Sequence, residues 1–227
     1  MLFAPFLFFY AIIFFVVLAF LFVLIEVHII SYAFQAVGLP PQLAFFALLM
    51  SLVGSWVNIP IIRIRGDRIS QETMISKFGV RYRPPSSVTG STMVAINVGG
   101  AIVPILISIY ILNRSPSALI PSILGAGIVA IVVNRFARPV RGLGIAVPMF
   151  IPPIVAALAG YFLGKHLGAP GGRDVVAYVS GVAGTLIGAD LTNLGKLRSL
   201  GAPVASIGGA GTFDGIFLTG VVAVLLA

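Results

Sequence analysis

Residues 181–218 read GVAGTLIGADLTNLGKLRSLGAPVASIGGAGTFDGIFL: two apolar, glycine-rich runs joined by a short basic stretch, with one acid in each run, Asp190 and Asp214. Lys196 and Arg198 mark an aqueous interface and Gly201-Ala202-Pro203 is a turn signal, so the runs predict two antiparallel helices that meet at that interface. Asp190 lies eleven residues before Gly201 and Asp214 thirteen after it. At about 1.5 Å of rise per residue the two side chains then sit at similar depth inside the hydrocarbon. A carboxylate there is costly enough to mark function.

The rest of the chain carries the same signature. Of its 227 residues, 59% are hydrophobic and only 9% charged, too little charge to cover a soluble globule of this length. The expected class is all-α: a polytopic transmembrane helix bundle occupying residues 1–227 as one domain. Counting runs of roughly 20 apolar residues gives about seven spans, at 2–25, 41–63, 88–112, 117–134, 143–164, 174–194 and 203–226. The first ends near Glu26 and His28; it has no basic leader and no small-residue cleavage site, and so reads as a retained span. Pro148, Pro152 and Pro153 require the fifth span to be kinked or broken.

Loop charge fixes an orientation. Arg63, Arg65, Arg68, Lys77, Arg81, Arg83, Arg135, Arg138, Arg141, Lys196 and Arg198 fall in alternate connections, against Arg114, Lys165 and Arg173 in the others. The positive-inside rule then places the N-terminus inside, the C-terminus outside, and residues 64–87 as a basic cytoplasmic loop that contacts anionic lipid. The net charge of +8 is explained by this distribution, and a nucleic-acid partner is not expected. Cysteine is absent, which excludes disulfides and thiolate chemistry. His28 and His166 form no metal-binding spacing, so neither a metal nor another cofactor is expected.

Two carboxyls held close together where water is scarce cannot both ionise cheaply, so they share one proton. The base of such a pair activates water and the acid protonates a carbonyl, which is the chemistry of an aspartic protease. The same pair also suits a carrier that exchanges a proton or sodium ion with a small solute. Plainer roles exist: Asp190 pairing with Lys196 or Arg198 at the interface, and Asp214 capping a short last helix. The density of Gly208, Gly209, Gly211, Gly215 and Gly220 predicts a partly unwound segment before Asp214. Gly208, Gly209, Gly211 and Thr212, with Asn97 and Asn193, two of the amides near or within spans, are the candidate substrate-binding residues. Gly181, Gly184 and Gly188, three and four residues apart, predict a close helix contact.

Two resemblances follow from quoted segments. GTLIGADL, GAPVASIGGAGTFDGIFLTG, NRFARPVRGLGI and Asn97-Val98-Gly99-Gly100 resemble a bacterial and archaeal membrane family known as domain of unknown function 1614, which implies a prokaryotic cell membrane and no particular activity. Gly211-Thr212-Phe213-Asp214-Gly215 is similar to the GxGD motif of presenilin-type intramembrane aspartyl proteases, with Phe213 at the second glycine. Those enzymes carry one aspartate on the sixth span and one on the seventh, with a cytoplasmic N-terminus. The resemblance implies Asp190 and Asp214 as catalytic acids and a transmembrane peptide as substrate.

Overall fold

A computed structural model describes residues 5–65, 75–77, 80–82, 91–140, 144–165, 172–199, 204–209 and 215–227. Helix dominates it, at 76%, as the composition requires. The expectation of an all-α chain holds only in part, because several expected spans change from helix to strand partway along.

Helix α1 (Pro5–Ala36) runs straight through Glu26 and His28, beyond the end expected near residue 25. Isolated polar residues do not break a helix; what ends α1 is Gly38, at φ +90°. Its N–H bonds to Gln35 O and the N–H of Leu39 to Phe34 O, the left-handed glycine cap of a helix C-terminus. Helix α2 (Pro41–Gly54) then stops short, and the expected second span continues as strand β1 (Asn58–Arg65). Sequence chemistry explains the change: Pro60 cannot donate in a helix, biases Ile59 to extended backbone, and is followed by β-branched Ile61, Ile62 and Ile64. Pro60 lies at a register irregularity of this edge strand, where a missing N–H does least harm.

The expected third span is likewise split. Strand β4 (Ser91–Asn97) passes through a π-helical turn (Val98–Ile102) into helix α3 (Val103–Arg114). A hairpin of β2 (Ile75–Lys77) and β3 (Val80–Tyr82) lies between β1 and β4, within the expected basic loop. Helix α4 (Leu119–Phe136) leads to a second hairpin, β5 (Arg138–Val140) with β6 (Gly144–Ala146). Helix α5 (Ile151–Ala159) has Pro152 in its first turn, where the lost N–H would be unpaired anyway. The expected span 143–164 is thus broken, as its prolines require, with strand at 144–146 and helix only from Ile151.

Helix α6 (Gly172–Thr185) continues through a π turn (Leu186–Asp190) and a 3₁₀ stretch (Leu191–Ser199). After it come strand β7 (Val204–Ile207) and helix α7 (Gly215–Leu226). Strands β1, β4 and β7 form one mixed sheet in that order, β1 antiparallel and β7 parallel to β4.

Among the described residues three helices are long and apolar enough to cross a membrane: Ile12–Ala36, Pro116–Phe136 and Gly172–Leu197. Pro41–Gly54, Val98–Arg114, Ile151–Gly164 and Gly215–Leu226 are apolar but shorter. Helix α6 is the packing centre, touching α3, α4, α5 and α7. Its Tyr178 is fully buried and meets Phe34 edge-on at 6.2 Å, while Phe34 meets Phe217 of α7 at 6.0 Å. The glycine ridge does what its spacing predicts. A Cβ on Gly184 would stand 2.5 Å from Val129 Cβ, and one on Gly188 would stand 2.9 Å from Ala130 Cα. Only glycine lets α4 approach so near.

Candidate functional site

The helix-to-strand junctions meet around one buried amide. Asn97 ends β4 and is wholly buried. Its Oδ1 accepts from Gly100 N at 2.7 Å, capping the π turn, and its Nδ2 donates to Ser55 O at 2.7 Å and to Asn58 Oδ1 at 3.2 Å. Asn58 Oδ1 also accepts from Ser206 Oγ of β7. One hydrogen-bonded chain thus ties α2, β1, β4 and β7 together.

The backbones are as close as the side chains. Ser51 Oγ donates to Gly99 O, and a Cβ on Gly99 would overlap Ser51 O and Ser55 N. Gly208 follows β7 with φ +83°, and a Cβ there would lie 2.6 Å from Ala101 Cβ and 2.7 Å from Ala101 N. Gly209, at φ +88°, continues this left-handed path, which L side chains avoid. The unwound segment expected before Asp214 is thus present over residues 204–209. Asn97 and Gly208, far apart in sequence, come together across the Gly100–Ala101 backbone. Gly211, Thr212 and Asp214 lie outside the described residues.

Asp190 is placed differently. It closes the π turn at the end of α6 and is partly buried. The carbonyls of this turn are gathered by side chains. Gly188 O accepts from Asn193 Nδ2 at 3.0 Å, from Thr192 Oγ1 at 3.0 Å and from Asn134 Nδ2 at 3.4 Å, and Ala189 O accepts from Asn193 Nδ2 at 2.9 Å. Asn134 Nδ2 also donates to Thr192 Oγ1 at 2.7 Å. Asn193 is fully buried, and with its amide nitrogen committed to these carbonyls its Oδ1 has no hydrogen-bond partner among the described residues. Residues 191–199 pass beside β1 and β4, so the Asp190 turn and the sheet are neighbours. Among the described residues no group of three His, Asp or Glu side chains is placed to hold a metal.

Sequence reasoning singled out Asn97 and Asn193 but missed Ser51, Ser55 and Ser206, which bind at the junction. Serines at scattered positions carry no signal until the strand pairing is known. It also missed that Asn97 and Asn193 serve separate clusters, one at the sheet and one at the π turn.

No curated protein and no solved structure matches the chain. Residues 52–226, which include both aspartates and the three strands of the sheet, match the family described as Protein of unknown function (DUF1614), and the chain belongs to that family.

Proposed function

We propose that this is a multi-pass membrane protein, N-terminus inside and C-terminus outside, in which Asp190 and Asp214 form one paired-carboxyl site that hydrolyses peptide bonds of membrane-spanning substrates. The observation that carries the reading is the irregular backbone at Asp190 and over residues 204–209. Asp190 closes a π turn where α6 leaves regular helix, and β7, an edge strand among the described residues, leads into the left-handed Gly208 and Gly209, which precede Asp214 in the sequence. A substrate helix must unwind before it can be cut, and an open strand edge offers its freed N–H and C=O groups partners by strand addition. The ionised carboxyl takes a proton from water as its oxygen adds to the peptide carbonyl, and the protonated carboxyl donates to the carbonyl oxygen; on collapse the first carboxyl passes its proton to the leaving nitrogen and the second recovers one from the gem-diol, which regenerates the pair.

The alternative is a proton- or sodium-coupled carrier of a small solute that uses the same acids. The unpartnered Asn193 Oδ1 near Asp190 favours it, as a buried oxygen acceptor suits a cation or a donor group. Purified protein in proteoliposomes, supplied with a reporter transmembrane peptide, separates these readings. Cleavage that falls at least about a hundredfold in Asp190→Asn and in Asp214→Asn supports the protease. Full cleavage by either variant refutes the pair, and gradient-driven uptake without cleavage assigns the carrier. Neither activity leaves a non-enzymatic membrane protein.

A further inference from the structure

The lower part of α4 and the π turn of α6 enclose a groove of about 770 Å³ that neither aspartate reaction uses. Its walls are Gly127, Ala130, Ile131, Phe136 and Ile187, and its polar end is Asn134, Arg135 and Thr192. Gly127 opens the floor: a Cβ there would meet nothing within 4 Å. Arg135 is exposed in the last turn of α4 and makes no hydrogen bond or ion pair among the described residues. Arg138, also exposed, begins β5 three residues on.

We infer that this groove binds one anionic phospholipid, its phosphate against Arg135 and an acyl chain lying along Ile131 to Gly127. Charge and length select that occupant. From Arg135 back to Gly127 is eight residues, about 12 Å of helix, enough for the upper half of an acyl chain. The cation stands where the span Pro116–Phe136 ends, at the depth of a phosphate headgroup. Asn134 Nδ2 and Thr192 Oγ1 already bond each other and Gly188 O. Arg135 is therefore the charged donor left for a phosphate, and a zwitterionic lipid would bring a second cation against it. The inference needs the chain to lie in a bilayer but is independent of the aspartate chemistry.

The test is native mass spectrometry of the purified full chain in detergent with phosphatidylglycerol or phosphatidylcholine of identical acyl chains. Wild type should retain one phosphatidylglycerol with about fivefold preference, the factor one arginine supplies beside an anionic headgroup. Arg135→Gln should bring the two lipids to parity. Gly127→Leu, which fills the floor from open space, should remove the retained molecule. Equal retention of both lipids by wild type, unchanged preference in Arg135→Gln, or unchanged occupancy in Gly127→Leu would overturn the assignment.

Discussion

Replacing Gly188 by alanine perturbs the α4–α6 contact and the Asp190 turn together. The added Cβ would stand 2.9 Å from Ala130 Cα and 3.0 Å from Ala130 C, with Ala130 O nearer still. All three are backbone or Cα atoms and cannot rotate away. Reaching ordinary contact requires α4 to recede by about 0.5–1 Å. Overpacking of this kind costs about 1–3 kcal/mol. Recession also removes the bond from Asn134 Nδ2 to Gly188 O, already 3.4 Å long. Helix propensity returns up to about 1 kcal/mol for exchanging glycine, which leaves a net loss of about 1–2 kcal/mol. For a chain of this size each kcal/mol moves the melting midpoint by about 2–4 °C, so we expect a fall of about 2–8 °C in detergent at one fixed scan rate. Gly127→Ala on the facing helix has open space and should raise the midpoint by about 1–3 °C. Equal midpoints, or the opposite order, would refute the claim that the glycine ridge sets this helix contact.

Other consequences follow at the junctions. Asn97→Ala removes three hydrogen bonds and leaves Gly100 N and Ser55 O unpaired in a buried place, so a loss of about 2–4 kcal/mol is expected in denaturant titration. Gly208→Ala combines a left-handed φ with contact at 2.6 Å on Ala101 Cβ and should cost at least about 2 kcal/mol, whereas Gly215→Ala, with nothing near, should lie within about 0.5 kcal/mol of wild type. Since the proposed chemistry rests on two carboxyls, a chelator should leave peptide cleavage unchanged. Loss of cleavage on chelation, restored by a divalent cation, would contradict it.

What the sequence could and could not convey follows from the range of each signal. Local patterns were sufficient for the apolar helices, the glycine ridge from Gly181 to Gly188 and the unwinding at Gly208 and Gly209, because each depends on neighbouring residues. The sheet was illegible for the opposite reason. NIPIIRIR and STMVAIN are apolar enough to pass for half of a span, and hydropathy alone does not distinguish a short apolar strand from a piece of apolar helix. Pro60 and the run of β-branched isoleucines were the available hint. The partners of β4 lie far from it on either side, and the Asn58–Asn97–Ser206 chain exists only once those strands pair. For the candidate site, Asn97 and Asn193 were legible as amides near or within spans, but the hydrogen-bonded cluster each one joins was not. Asn97 turns its amide to Ser55 and Gly100, and Asn193 turns its amide to Gly188 and Ala189.

The central claim is that Asp190 and Asp214 face each other, and the chain's freedom from cysteine allows a direct measurement. In the Asp190→Cys, Asp214→Cys double variant, oxidation in the membrane should form an intramolecular disulfide, which requires Cα atoms within about 7 Å, or a cross-link through a short bismaleimide spacer. The Asp174→Cys, Asp214→Cys pair is the control, since Asp174 lies sixteen residues, about 24 Å of helix, from Asp190. Efficient linkage is expected in the first pair and none in the second. Failure of the first pair to link by either reagent, with both thiols reactive, would contradict the claim.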